Sequence, residues 1–192
     1  MPFWTAVETE PKRSFRYLFY MSGRSQTIQP YTVQTVKKPS FTIEGQVQAK
    51  YIQHTFKYPG RVMWQDVTVT IIDPRGAGAA GVDDAAKTLD TVLLESGYSA
   101  PLADDAFAKA SISKVKATNA MGTPFLVEIN AEGLEISRWT LKNPYLANVD
   151  YGQLSYNEDS LVTYTLTISY DYATYETTSQ DIQTDGAISS IF

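Results

Sequence analysis

The stretch whose spacing most suggests chemistry is Gly76-Ala-Gly-Ala-Ala-Gly81, a literal G-x-G-x-x-G between a strand pattern ending at Ile72 and a helical pattern opening at Val82. In a dinucleotide-binding unit, such glycines let a pyrophosphate approach the backbone at a helix N-terminus. Three neighbouring features oppose that use. Asp83 and Asp84 would meet the pyrophosphate with like charge, and Asp73-Pro74-Arg75 stands where the fingerprint requires an immediate turn. Further on, a second parallel strand ending in an acid is expected, and the chain reads Pro101-Leu-Ala-Asp-Asp105 instead. A flexible linker of small residues explains the composition, so no cofactor is expected. A nucleotide-binding enzyme using Gly76–Gly81 stays open as the reading from another class.

The remaining candidates are weaker. The single histidine, His54, sits in a Tyr- and Lys-rich segment without an acid–base partner motif, and one histidine cannot build a histidine-based metal site. A structural or interface role is expected for it. Asp83-Asp84, Asp104-Asp105 and Glu158-Asp159 lack metal-loop spacing and read as solvated pairs. No serine sits in a nucleophile elbow. Without cysteine, disulfides, thiolate metal sites and cysteine catalysis are excluded. The sequence therefore points to no catalytic, cofactor-binding or metal site, and to a protein that is not an enzyme.

The whole-chain numbers fit a single domain. Of 192 residues, 43% are apolar and 12% aromatic, enough to fill a core. Net charge is −5, with 16 bases against 21 acids and no basic block. A chain that grips nucleic acid normally carries a basic stripe, because phosphate neutralisation supplies most of the affinity. An acidic surface past which DNA slides is still compatible. No segment approaches the roughly 20 apolar residues of a membrane span, and the N-terminus has no leader pattern, so a soluble, unexported protein without a membrane anchor is expected.

The elements that would position any functional group are mostly strands. Leu161–Tyr172 alternates strictly: Val162, Tyr164, Leu166, Ile168, Tyr170 and Tyr172 on one face, Thr163, Thr165, Thr167, Ser169 and Asp171 on the other. One buried and one wet face follow. Further strands are expected at Phe15–Met21, Tyr31–Val36, Phe41–Val47, Trp64–Ile72, Ile112–Thr118, Phe125–Asn130 and Leu134–Leu141. Lys50–Tyr58 is aromatic-rich and ends in the turn signal Pro59-Gly60. One helix is expected over Val82–Ser96, from Val82, Ala86, Leu89 and Leu93, with Asp83 and Asp84 in its first turn and Gly97 after its end. Residues 1–13 form an arm, 14–176 the domain and 177–192 an extension. In the arm, Phe3 and Trp4 either fold back on the domain or pack on a neighbouring subunit. The fold class is mainly β: a β-sandwich or open β-barrel with one flanking α-helix.

In this order, the segments resemble the tail tube proteins of large contractile-tailed bacteriophages. The likeness is carried by Lys12–Gly23, by Tyr51–Phe56 with Pro59-Gly60-Arg61 and Trp64–Asp73, by the helix, and by Leu141–Tyr145, Val149–Leu154 and Val162–Tyr172. The resemblance implies a structural virion protein that assembles into stacked hexameric rings, forming the inner tube through which phage DNA passes. It implies the sheath protein, a baseplate tube initiator and a tail terminator as partners, assembly in the bacterial host cytoplasm, and residence in the phage tail. Under it, Thr163, Thr165, Thr167, Ser169 and Asp171 face the lumen. The hairpin residues Tyr51, Ile52, His54, Phe56, Tyr58 and Trp64 dock ring on ring, with Phe3 and Trp4 as further interface candidates. A baseplate tube initiator of the same fold, or a tube subunit of a phage-derived injection or secretion machine, is the nearest alternative. A monomeric carbohydrate-binding sandwich, suggested by the 13 tyrosines, is more distant.

Overall fold

The computed structural model describes residues 11–24, 27–74, 84–99, 111–157 and 159–177. Among the described residues, thirteen strands and two α-helices follow in chain order. They are β1 (Tyr17–Ser22), β2 (Thr27–Ile28), β3 (Val33–Val36), β4 (Ser40–Glu44), β5 (Val47–Tyr51), β6 (His54–Tyr58), β7 (Arg61–Gln65), β8 (Val67–Ile72), α1 (Ala85–Glu95), α2 (Lys114–Met121), β9 (Phe125–Ile129), β10 (Glu135–Lys142), β11 (Tyr145–Asp150), β12 (Thr163–Ser169) and β13 (Tyr172–Thr177). A five-stranded sheet runs in the order β13-β10-β9-β1-β2, and a four-stranded sheet in the order β11-β12-β8-β3. The pairs β4-β7 and β5-β6 form two separate ribbons. The paired strands are antiparallel throughout.

The core lies between the two larger sheets. Phe19, Met21, Leu126 and Leu141 from one sheet share a buried cluster with Val67, Val69, Ile71, Tyr164, Leu166 and Ile168 from the other. Alternation explains the selection, since β8 reads buried and half-buried in turn from Val67 to Ile72. Each such aliphatic or aromatic side chain contributes roughly 1.5–3 kcal/mol on full burial.

Helix α1 closes one end of the core with Ala85, Thr88, Leu89 and Val92, spaced for one helical face. The expected stripe is thus rotated: Leu89 is buried but Leu93 is exposed, and Val82 lies outside the described residues. Asp84 is the N-cap rather than a first-turn residue, its Oδ1 accepting from the Ala86 amide at 2.9 Å.

Ile112–Thr118, expected as a strand, instead leads into α2 at Lys114, so among the described residues two α-helices flank the sheets where one was expected. Ser113 caps this helix, and Ala117, Ala120 and Met121 are buried at helical spacing while Val115 is exposed. Gly122 ends it at φ +70°, where an added Cβ would lie 2.0 Å from the Ser22 carbonyl oxygen. Only glycine fits that crossing.

The long C-terminal strand is also divided. β12 ends at Ser169, Tyr170 stays buried, and β13 joins the other sheet, where its Ala173 and Tyr175 pair with Leu141 and Trp139 of β10. The Asp171 amide donating to the Lys142 carbonyl marks the crossing. Alternation breaks at this point: Tyr172, expected on the buried face with Tyr164 to Tyr170, is exposed, and Ala173 takes the inward position against the core.

Candidate functional site

Two surfaces stand out once the sheets are in register. The first is the outer face of the four-stranded sheet. On β12, Thr163, Thr165 and Thr167 pair with Ile72, Thr70 and Thr68 of β8. On the other side, Asp150, Asn148 and Tyr145 of β11 pair with Thr165, Thr167 and Ser169, and Thr35 of β3 pairs with Thr70. Directly paired residues share a face, so these side chains form a continuous hydroxyl-rich field. Its strand residues include no lysine or arginine. Lys37 borders it beyond β3, where its amide donates to the Thr68 carbonyl. Ser169 Oγ donates to Asp66 Oδ1 at 2.7 Å at the margin. Both edge strands, β11 and β3, have one side without a partner strand in this sheet.

Asp171 leaves that row. It lies past the end of β12, and its carboxylate accepts from Lys114 Nζ at 2.7 and 2.8 Å and from Asn143 Nδ2 at 2.7 Å. Both partners hold its carboxyl below the usual range. Its work is to pin α2 to the turn before β11, which the alternation pattern does not reveal.

The second surface is the arm formed by β4–β7. The inner ribbon pairs Phe41 with Trp64 and Ile43 with Val62, and the outer ribbon pairs Val47 with Tyr58, Ala49 with Phe56 and Tyr51 with His54. The outer ribbon therefore has an apolar face of Val47, Ala49, Tyr51, Phe56 and Tyr58 with His54, and a polar face of Gln48, Lys50, Thr55 and Lys57. Every residue of β5 and β6 is exposed. Tyr51, His54, Phe56 and Tyr58, picked from the sequence, are brought together on one face; Ile52 stands at the tip. Trp64 differs from them. It is half-buried at the root, stacked edge-on with Phe41 at 5.4 Å and 6.0 Å from the Tyr170 ring. Val47, Phe41, Ile43 and Val62 were missed, although their period-two spacing signals them. Gly60 lets the ribbons meet, for an added Cβ would sit 1.7 Å from the Glu44 carbonyl oxygen. Phe3 and Trp4 lie outside the described residues.

The base of the arm is anchored by a buried carboxylate. Glu128 of β9 accepts from Lys12 Nζ at 2.6 Å, from Ser137 Oγ at 2.6 Å and from Lys38 Nζ, just before β4. Burial pushes Glu128 up, but these donors outweigh it and hold its carboxyl at about 2. Lys12 also donates to Ser137 Oγ and to the Tyr175 hydroxyl. The cluster thus joins the N-terminal segment, the arm root and the last strand.

Groups that could do chemistry are committed elsewhere or dispersed. Gly76–Gly81 lies outside the described residues, but the amides of the helix after it are occupied: Ala85 N donates to Asp73 Oδ1 at 3.2 Å and Ala86 N to Asp84. Asp73 Oδ2 in turn accepts from the Tyr164 hydroxyl at 2.6 Å, which with burial raises that phenol to about 12. Two carboxylates at this helix start leave it ill-suited to a pyrophosphate. Among the described residues, no cluster of three or more His, Asp or Glu could hold a metal ion, and no helix is long and apolar enough to cross a membrane.

No protein-family model and no curated protein matches the chain. Solved structures do. A chain of the anti-feeding prophage baseplate, in a 6-fold symmetrised structure, aligns with TM-score 0.60 and 14% identity over 88% of this chain and 97% of that one. A chain of the sheath–tube complex of the extracellular contractile injection system PVC, in its extended state, aligns with TM-score 0.61 and 13% identity over 93% and 99%. The SPP1 tail tube aligns with TM-score 0.53 and 10% identity over 88% and 80%. The chain has the fold found in these phage tail tube and contractile injection assemblies.

Proposed function

We propose that this chain is a structural subunit that stacks into the hollow inner tube of a contractile, phage-tail-like assembly. The observation that carries this reading is the uncovered apolar face of the arm. A two-stranded ribbon is marginal in water on its own, and one that also exposes Phe56, Tyr58, Tyr51 and Val47 requires a partner surface. A second copy supplies it by head-to-tail stacking, a heterologous contact that continues instead of closing.

The other surface fits the same reading. Side-by-side copies joining β11 to β3 would extend the four-stranded sheet around a ring and turn its hydroxyl-rich face inward. Such a face stays wetted, and without bases it gives passing DNA nothing to neutralise. The 6-fold symmetrised assembly that holds one similar chain supports a ring of six, and the sheath–tube complex that holds another supports a sheath around it. In this reading residues 1–13 are an N-terminal arm and 177–192 a C-terminal extension of the barrel domain, the protein belongs to the virion or injection particle, and it performs no reaction.

Changing Tyr51, Phe56 and Tyr58 together to Ser should abolish stacking while leaving the fold, read by electron microscopy and circular dichroism. Normal tubes from that variant would remove the arm from the interface. An end ring that starts or closes the tube is a second reading, because a baseplate chain and chains from terminator and cap structures align about as well. It predicts single rings where the main subunit gives rods.

A further inference from the structure

Ile52 occupies a position that its own subunit does not explain. It is the first residue of the two-residue turn between Tyr51 and His54, and its φ is +51°. Turns of this kind favour glycine, asparagine or aspartate where φ is positive, and a β-branched residue there is strained. The side chain is 86% exposed, so it gains little in return from the described residues. Strain held at an exposed apolar tip points to a contact outside the subunit.

A receptor of matching character lies at the opposite end of the four-stranded sheet. The arm leaves that sheet where Val67 pairs with Ile168. The loop between β11 and β12 lies at the other end, where Ile72 pairs with Thr163. Residues 151–156 and 160–163 line an open cleft of about 440 Å³, in which Tyr151, Leu154 and Leu161 stand beside polar Gln153, Ser155 and Ser160. Leu154 and Leu161 are exposed in it, at 79% and 71%. Charge also matches. The outer ribbon carries Lys50 and Lys57 and no acid between Val47 and Tyr58, whereas the loop region carries Asp150 and Asp159 and no lysine or arginine between residues 150 and 162. From Ser40 to Tyr51 the fully extended chain reaches at most about 40 Å beyond the arm root.

We propose that Ile52 seats in the cleft formed by residues 151–156 and 160–163 of a second copy, flanked by Lys50 and Lys57 facing Asp150 and Asp159. This rests on the stacking reading and adds the receptor and the anchor residue.

The chain has no cysteine, so a double variant, Ile52→Cys with Leu154→Cys, tests the contact cleanly. Under oxidation, or with a short bifunctional thiol reagent, assembled protein should give a ladder of covalent oligomers. Normal stacks without a ladder would overturn the receptor assignment and leave stacking intact. A covalent dimer that never extends would mean a closed pairing and overturn it as well. Failure of the unmodified protein to stack at any concentration would remove both proposals. A second variant separates anchor from fold. Ile52→Gly should raise the thermal midpoint by about 2 °C through relief of the turn, yet raise the concentration needed for stacking about tenfold. Unchanged stacking by Ile52→Gly would contradict the anchor role.

Discussion

Glu128 shows how a single buried carboxylate can organise distant segments. Its side chain is 8% exposed and ties Lys12, Lys38 and Ser137 together across three parts of the chain. Because its folded value, about 2, lies below the usual 4.5, it stabilises the fold above pH 4.5 and loses that contribution as pH falls toward 2. At about 1.4 kcal/mol per pH unit, the gap corresponds to roughly 3 kcal/mol. Glu128→Gln should therefore cost on the order of 1–3 kcal/mol at neutral pH and flatten the acid limb of the denaturation profile between pH 4.5 and 2. An unchanged acid limb would show that the cluster is not the acid-labile element. Tyr164→Phe removes the hydroxyl that Asp73 accepts from and should cost about 1 kcal/mol in urea melts, with the Asp73 bond to Ala85 retained.

The arm and the helices show what the sequence makes legible at the scale of elements. Aromatic content marks Tyr51, Phe56 and Tyr58, and period-two spacing marks Thr163, Thr165 and Thr167 as one side of β12; the register puts each set on a common face. Periodicity assigns faces, not partners. It therefore says nothing about Asp171 leaving the row for Lys114, or about β13 crossing to the other sheet. For Ile112–Thr118, alternation competed with a capping signal, and Ser113 with Gly122 bracketed the true helix. Glycine has a clear role at Gly60, which the Glu44 carbonyl leaves no room to replace. Gly60→Ala should splay the two ribbons and reduce stacking sharply, while near-UV circular dichroism of the barrel and its melting point stay close to the parent values. A large fall in melting point would place Gly60 in the folding core instead of the arm.

At the scale of the whole molecule, the described residues offer the open β11 and β3 edges of the four-stranded sheet, a base-free hydroxyl face and an arm with an exposed apolar side. Among the described residues all three lack a counterpart, and the proposed stacked ring would supply one for each. The most direct measurement is negative-stain electron microscopy of the purified protein alongside its sedimentation profile. The account predicts hollow rods or stacked rings, with a sedimentation coefficient that rises with concentration. A protein that stays monomeric at high concentration, with no rings on the grid, would contradict it.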